Sequence, residues 1–270
     1  MKIDRSIFTV LLLVTAAVFQ LPAQQNEADR KMVAEIRAGA DKGDAKARYE
    51  LGRAFFSGTL GVAKDEAEAV KWFRKAAGQN VADAQFSLGV CYAIGQGVTK
   101  DDAEAVKWFR KAAEQNYARA QYNLGVRYTK GQGVTKDDAE AVKWFRKAAE
   151  QNDARAQAAL GVRYAKGQGV SKNKAEAIKW YRKAAEQNVA DAQYNLGACY
   201  DSGEGVAKDE VEAYKWWLLA AGQSNDDAKY NVTIVENKMT REQIAEGQRL
   251  ARDFKRRKVP SEGSDARLPP

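Results

Sequence analysis

The chain has 270 residues, with 44 lysines and arginines against 36 aspartates and glutamates, and a net charge of +8. It contains no histidine and only two cysteines, which excludes imidazole general bases, histidine-containing metal sites and thiolate zinc cages. The four prolines lie near the two ends, and the long interval between Pro22 and Pro260 contains none, so the composition predicts a helical protein with few residues suited to catalysis. We expect no catalytic, cofactor or metal site.

Residues 1–23 have the order of charge and hydrophobicity that is typical of a secretory signal peptide. Lys2 and Arg5 precede the largely apolar residues 7–19, and a polar stretch follows Ala23. An uncleaved membrane anchor is the alternative, but the apolar stretch is shorter than the ~20 residues that a membrane span requires. We therefore expect cleavage near Ala23 and export of the protein, without a lipid anchor, to a bacterial periplasm or to the outside of the cell.

Two features recur every 36 residues along most of the chain: a tryptophan, and a leucine followed directly by a glycine. The tryptophans at this interval are Trp72, Trp108, Trp144, Trp180 and Trp216. The leucines of the pairs are Leu88, Leu124, Leu160 and Leu196, with an earlier one at Leu51 that is one residue out of step. Self-similarity at such a period indicates a solenoid of small helical units.

The unit 117–152 shows how each repeat is built. Ala120, Leu124 and Tyr128 lie four residues apart and predict the buried face of a first helix, which Gly131 ends. Gly125 within this helix predicts a close approach between helices, beside a bulky tryptophan.

A second helix follows in the same unit. Thr135 is predicted to be its N-cap, with Asp138 as a carboxylate of the first turn. Ala141, Trp144 and Phe145 then have the spacing of an apolar stripe. The tryptophans are therefore expected to pack in the core rather than to form an exposed ladder that stacks on a ligand.

Three segments of this unit resemble the Sel-1-like repeat family, which is related to the tetratricopeptide repeats. They are the sequences AQYNLGVRY at 120–128, GQGV at 131–134 and AVKWFRKAA at 141–149. The resemblance implies an all-α fold, a right-handed α-solenoid superhelix of helical hairpins. It also implies a non-enzymatic scaffold that binds proteins, often in an exported bacterial protein.

The repeats divide the chain into a simple series of segments. After the signal peptide we expect a capping helix at 24–43, five repeats, two capping helices at 225–258 that include a capping box at Thr240, and a flexible tail at 259–270. The five repeats are predicted at 44–80, 81–116, 117–152, 153–188 and 189–224. Cys91 and Cys199 occupy the same position three repeats apart, which predicts two free thiols.

The first helices differ from one another at four positions that share one helical face. In the two central repeats this face carries the residues predicted to bind a partner, which are Arg119, Asn123, Arg127, Lys130, Arg155, Arg163 and Lys166. Acidic or neutral residues occupy the same positions in the second and fifth repeats. Because the resemblance places first helices on the concave surface, we predict a basic groove for a protein or an acidic peptide. Because neither Arg127 nor Arg163 is on the apolar stripe, replacing both with glutamate is expected to leave folding intact while weakening capture of the partner.

Two other classes of function remain as alternatives. Ser171 and Lys174 have the Ser-x-x-Lys spacing of penicillin-recognising enzymes, but the companion motifs Ser-Asp-Asn and Lys-Thr-Gly do not occur, so Ser171 is interpreted as a helix cap. A cell-wall or β-lactam hydrolase is the alternative that the family resemblance implies, because such activity is proposed for cysteine-rich relatives, although this chain lacks their cysteines. The basic run at 255–258 suggests a polyanion-binding protein or a weak contact with an anionic envelope surface. No nucleic-acid partner is expected for an exported protein.

Overall fold

The computed structural model describes residues 27–258, and every regular element in this range is an α-helix. The helices are α1 (27–41), α2 (Ala45–Ser57), α3 (Glu66–Gly78), α4 (Ala82–Ile94), α5 (Asp102–Glu114), α6 (Ala118–Lys130), α7 (Asp138–Glu150), α8 (Ala154–Lys166), α9 (Lys174–Glu186), α10 (Ala190–Ser202), α11 (Glu210–Ala221), α12 (Asp226–Glu236) and α13 (Arg241–Lys258). The all-α prediction is confirmed. The predicted signal peptide and flexible tail lie outside the described residues.

The chain forms two compact units that divide within α6. The first unit contains the residues up to 127 together with 131–135, and the second contains 128–130 and the residues from 136 onward. Each unit consists of helical hairpins, in which α2 packs on α3 and α4 on α5 in the first unit, and α8 on α9 and α10 on α11 in the second. No helix within residues 27–258 has the length and apolarity needed to cross a membrane.

Each second helix of a hairpin begins at an aspartate or asparagine whose side chain accepts a backbone N–H of the first turn. These N-caps are Asp65, Asp101, Asp137, Asn173 and Asp209. The prediction of Thr135 as an N-cap is therefore wrong by two residues, and Ser171 likewise precedes the true cap. The carboxylate or amide of the later residue reaches the N–H groups, which satisfies donors that have no partner within the helix.

Glycine ends each of the five first helices, as predicted. Gly131 and its equivalents adopt the left-handed conformation, with φ of 65° at Gly131 and 75° at Gly95. The next glycine of the loop has a second role. A Cβ atom on Gly133 would overlap the carbonyl oxygen of Asp102, so the loop packs directly on the start of the preceding second helix.

Glycine within the first helices allows each hairpin to close. A Cβ atom on Gly52 or Gly89 would lie 2.7 Å from the Phe73 or Phe109 ring respectively. The predicted close approach is confirmed, but the neighbouring ring belongs to the residue after the repeated tryptophan. In the fifth repeat that residue is itself a tryptophan, Trp217, which packs against Gly197.

The cores of the two units consist mostly of alanine, leucine and aromatic side chains. In the first unit, α1 packs Val33 and Ile36 against Leu51 and Trp72 and so covers the first hairpin. In the second unit, α13 packs on α11, where the rings of Trp216 and Phe254 meet edge to face with centroids 5.5 Å apart. Thr240 and Gln243 form the predicted capping box at the start of α13.

The tryptophans pack in these cores as predicted. Four of them are buried, namely Trp72, Trp144, Trp216 and Trp217. Trp108 and Trp180 are half-buried. An exposed stacking ladder is therefore excluded for the four buried rings.

A buried glutamine in each repeat after the first ties neighbouring loops together. In the second unit, Gln157 Nε2 donates to the carbonyl oxygen of Ala149 at 3.2 Å and to Asn152 Oδ1 at 3.1 Å. Gln187 Nε2 in turn donates to Gln157 Oε1 at 2.8 Å. Because an unpaired amide would be costly in the interior, these bonds hold the first helix in one register against the preceding loop.

Candidate functional site

The structure separates the six predicted cations into two groups. Arg119 of the first unit is exposed, as are Lys130, Arg155 and Lys166 of the second unit. The Arg155 guanidinium is bound by the carboxylate of Asp153, which caps the same helix, at 2.7 Å. These four side chains are accessible to a partner. Asn123 is half-buried, and its side-chain amide donates to the carbonyl oxygen of Arg119 at 2.8 Å.

Arg127 and Arg163 do not belong to an exposed face, so this part of the prediction is wrong. Only 14% of the Arg127 side chain and 11% of the Arg163 side chain are exposed. Arg127 Nη1 lies 2.6 Å from Asp102 Oδ1, and Arg163 Nη1 lies 2.9 Å from Asp138 Oδ1. Both arginines therefore bind a carboxylate at the start of the preceding second helix and hold one repeat against the next.

The cysteines take the position of these arginines in two other repeats. Both thiols are free, as predicted, and Cys91 is 1% exposed. Burial, with a smaller contribution from the nearby carboxylate of Glu66, raises the pKa of Cys91 to about 11. Burial also raises the pKa of Cys199. Neither thiol is a nucleophile at neutral pH, because the thiolate is the reactive form.

A concave pocket of about 310 Å³ opens on the first helices of the first unit. We call it the first-unit pocket. Its rings are those of Tyr49, Phe56, Phe73, Phe86 and Tyr117, contributed by α2, α3, α4 and the residue that precedes α6. Neighbouring ring centroids lie 5.3 to 6.0 Å apart with tilted planes, which is a favourable arrangement for aromatic side chains.

Two guanidinium groups stand at the rim of the first-unit pocket. Arg119 lies 4.7 Å from the centroid of the Phe86 ring, and Arg53 lies 5.9 Å from that of Tyr49. Ser57 and Ser87 contribute hydroxyl groups, and the lining contains no carboxylate. Burial raises the pKa of Tyr49, so its hydroxyl stays neutral.

Sequence reasoning found Arg119 but missed the other pocket residues. The first repeat carries an insertion, which obscures how the positions of its first helix correspond to those of the other repeats. When Leu51 is aligned with Leu88, Arg53 occupies the position of Val90, and Phe56 that of Ala93. These two differences from the repeat are the features of the sequence that could have identified Arg53 and Phe56 as pocket residues.

Nothing in the structure supports the hydrolase alternative. Ser171 lies in the loop that precedes the N-cap Asn173, and its neighbourhood is exposed. Within residues 27–258, no three side chains of the metal-ligating types cluster closely enough to hold an ion. The Ser-x-x-Lys spacing therefore coincides with an ordinary turn of the repeat.

Comparison with models of known protein families matches most of the chain to one family. A family model for the Sel1 repeat matches residues 45–81, 82–117, 118–153, 154–189 and 190–225, each starting one residue later than the boundaries predicted above. Among curated proteins, none matches the chain.

Two solved structures share this architecture. A protective antigen of uropathogenic Escherichia coli with an SLR fold is 30% identical with a TM-score of 0.73, and the match covers 90% of this chain and 56% of the antigen. A Sel1 repeat protein from Oxalobacter formigenes is 32% identical with a TM-score of 0.73, and the match covers 86% of this chain and 97% of that protein. This chain thus spans little more than half the length of the antigen. The predicted α-solenoid class of fold is confirmed.

Proposed function

Because the chain belongs to the Sel1 repeat family, we propose that it is an exported, non-enzymatic scaffold that binds an acidic segment of a protein on its first helices. The observation that carries this proposal is a difference between the cations of the first and second helices. The recurring lysines and arginines of the second helices have contacts within the protein. Among the predicted cations of the first helices, Arg127, Arg155 and Arg163 are ion-paired, whereas Lys130 and Lys166 form no ion pair in the described part of the chain.

The second helices share a segment in which each basic side chain has an internal contact. In α7, Lys143 Nζ lies 2.9 Å from Glu140, Arg146 donates to the hydroxyl of Tyr164 at 2.6 Å, and Lys147 lies 4.4 Å from the centroid of the Trp144 ring. The corresponding side chains of α3 and α9 make the same contacts. These contacts explain the repeated sequence by stability alone.

The first helices offer positive charge that the protein itself does not neutralise. Lys130 and Lys166 end α6 and α8 in the same register, and both are exposed. Cations without internal partners attract an acidic segment and accelerate its association, and salt weakens both effects. A protein segment rich in aspartate or glutamate is the partner that this charge favours.

Site-specific photocrosslinking tests the surface. A benzophenone amino acid at Lys130 or Lys166 is expected to crosslink the partner in the native envelope fraction, and the yield is expected to fall when salt is raised from about 20 mM to about 500 mM. The matched controls carry the same probe at Lys143 or Lys179, which are exposed on second helices. Crosslinks from the controls alone would contradict the proposal.

Export is tested by the mass of the protein recovered from the cell. Mass spectrometry of the periplasmic or extracellular fraction is expected to show a chain that begins after Ala23, without a lipid. A membrane-bound product that retains residues 1–23 would contradict export with cleavage. Purified protein is expected to hydrolyse neither peptidoglycan nor a chromogenic β-lactam.

An anionic envelope surface is a second candidate partner, for a weak contact only. Lys255 and Arg257 are exposed on α13 and form part of the basic run found in the sequence. Each such cation near an anionic surface contributes about 1 kcal/mol to binding. Sedimentation with vesicles that contain phosphatidylglycerol is expected to decrease for K255Q/R257Q, and an unchanged bound fraction would exclude this contact.

A further inference from the structure

Three side chains of the first-unit pocket, those of Arg53, Phe56 and Tyr117, are not the ones that recur in the repeat. Later repeats have Val90, Val126 and Val162 where the first has Arg53. Tyr117 replaces the valine found at Val81 and Val189. The scaffold therefore folds with smaller or uncharged side chains at these positions, and the pocket is a property of this chain rather than of the hairpin.

The side chains that differ from the repeat line the same pocket. Phe56 of α2 lies 6.0 Å from Phe73 of α3, between ring centroids, and Tyr117 lies 5.3 Å from Phe86 of α4. The Tyr117 hydroxyl donates to Asp83 Oδ1 at 2.9 Å, which fixes the ring at the edge of the pocket. Several helices thus build one concave apolar surface.

The rim carries two accessible guanidinium groups, with the carboxylates of Glu50 and Asp83 beside them. Arg53 has a single ion pair, with Glu50 at 3.2 Å, and 60% of its side chain is exposed. Arg119 is held over the Phe86 ring and forms no ion pair within residues 27–258. Both guanidinium groups keep N–H donors free to bind a carboxylate from outside.

We infer that the first-unit pocket binds one aromatic side chain of the partner, with a neighbouring aspartate or glutamate carboxylate bound by Arg53 and Arg119. The inference rests on the proposed function and specifies what the bound segment must contain. A volume of about 310 Å³ is at the lower end of the range for whole small-molecule ligands, ~300–1,000 Å³, so it suits a single large side chain. The rings supply the apolar contact and the arginines the charge.

Fluorescence anisotropy with short synthetic peptides tests this specificity on the full-length chain. The probe is a fluorescein-labelled peptide with the core Glu-Phe-Glu between glycine and serine residues, with both termini blocked. We expect it to bind about tenfold more tightly than the Gln-Phe-Gln and Glu-Ala-Glu versions at low salt, because each version lacks one of the two contacts. Equal affinity for all three peptides would overturn the inference.

Variants locate the binding within the protein. R53Q/R119Q is expected to weaken binding of the Glu-Phe-Glu peptide about tenfold or more and to abolish its preference over Gln-Phe-Gln. R155Q is the matched control, because Arg155 is exposed and has the same position in its repeat as Arg119 but lies outside the pocket. R155Q is expected to bind like the unmodified chain, and an equal loss in R155Q would contradict a localised pocket.

Reversing the charge of Arg53 and Arg119 gives a second test of their role in binding. R53E/R119E is expected to prefer the Lys-Phe-Lys peptide over Glu-Phe-Glu. Circular dichroism checks that R53Q/R119Q and R53E/R119E both fold. If a Gln-Phe peptide with a free terminal carboxylate binds more tightly than Glu-Phe-Glu, the pocket recognises a chain end and the side-chain assignment is wrong.

The outcomes also separate this inference from the proposed function. No binding of the Glu-Phe-Glu peptide to the unmodified chain overturns the pocket assignment, while crosslinks from Lys130 and Lys166 would still support the scaffold. If the peptide binds but those crosslinks are absent, the pocket assignment stands and the broader binding surface is wrong.

Discussion

The ammonium group of Lys174 lies 2.5 Å from a carboxylate oxygen of Glu204, at the place where α9 meets the loop of the next hairpin. In the preceding repeat the same place holds the opposite arrangement, because Asp138 begins the helix and Arg163 is its partner. Opposite charges meet in both repeats, but the sign on each element is reversed.

The reversal explains why the fifth repeat has no arginine on this face. An arginine at Cys199 would face Lys174, and like charges at this distance repel. The loop residue equivalent to Glu204 is a glutamine in the second, third and fourth repeats. Lysine and glutamate therefore replace the aspartate and glutamine of the preceding repeat as a pair, whereas cysteine also occurs beside a carboxylate and a glutamine in the second repeat, at Cys91.

Loss of the internal arginine is expected to destabilise the protein. R163Q removes the closer of the two cations that pair with Asp138 and should lower the free energy of unfolding by about 1–2 kcal/mol. K166Q, which changes an exposed cation of the same helix, should change it by less than about 0.5 kcal/mol. Urea unfolding followed by circular dichroism measures both, and equal effects would show that Arg163 acts only as a surface charge.

The contributions of Lys174 and Glu204 to the stability of the fold are expected to depend strongly on each other. K174D alone places a carboxylate opposite Glu204 and should lower the stability of the fold. Adding E204Q and C199R, which restores the arrangement of the preceding repeat, should recover about 1 kcal/mol or more. Urea midpoints of the single and triple variants provide the comparison, and a triple variant no more stable than K174D would refute the coupling.

A methyl group on a first-helix glycine is expected to separate a hairpin. In G161A the added Cβ would overlap the Tyr181 ring, so we expect a loss of about 1–3 kcal/mol. Gly78, at the end of α3, has no atom within 4 Å of such a Cβ, and G78A should be neutral or stabilising by up to about 1 kcal/mol. Thermal unfolding of the two variants distinguishes them. A similar melting temperature for both would indicate that the hairpin can open to accept the methyl group.

The buried thiol of Cys91 predicts a loss of stability at alkaline pH. Its pKa is raised to about 11 in the folded protein from an ordinary 9.0, so the folded state retains the proton that the unfolded state releases. The stabilisation is fully present below pH 9 and is lost as the pH rises towards 11, by an amount of about 2 kcal/mol. The difference in unfolding free energy between the unmodified chain and C91A should decrease over that interval.

Urea unfolding at several pH values between 7 and 11 tests this prediction, with C199A as the comparison. The same experiment can follow alkylation by iodoacetamide, which should be slow at Cys91 in the folded protein at pH 8. A stability difference that does not change with pH would mean that the Cys91 thiolate is tolerated in the folded state.

Most of the helical pattern could be predicted from the sequence, because it depends on short-range chemistry. The interval from Trp108 to Trp144, the Leu-Gly pair at Leu124 and the glycine at Gly131 identify the repeat, the first helix and its end. These features act within one hairpin, where residue spacing determines which side chains share a face. The N-cap was missed by two residues because Thr135 and Asp137 are both good caps, and only the backbone path chooses between them.

The candidate site depended on tertiary structure. On a single helix Arg163 shares a polar face with Lys166, but in the folded protein the preceding hairpin covers Arg163, so their roles differ. Arg53, Phe56 and Tyr117 are distant in sequence and come from different helices, and no local pattern joins them. Residue spacing predicts the repeat and its helices. Which charges are internal and where a pocket opens depends on the packing of one hairpin on the next, because burial is set by neighbours that are remote along the chain.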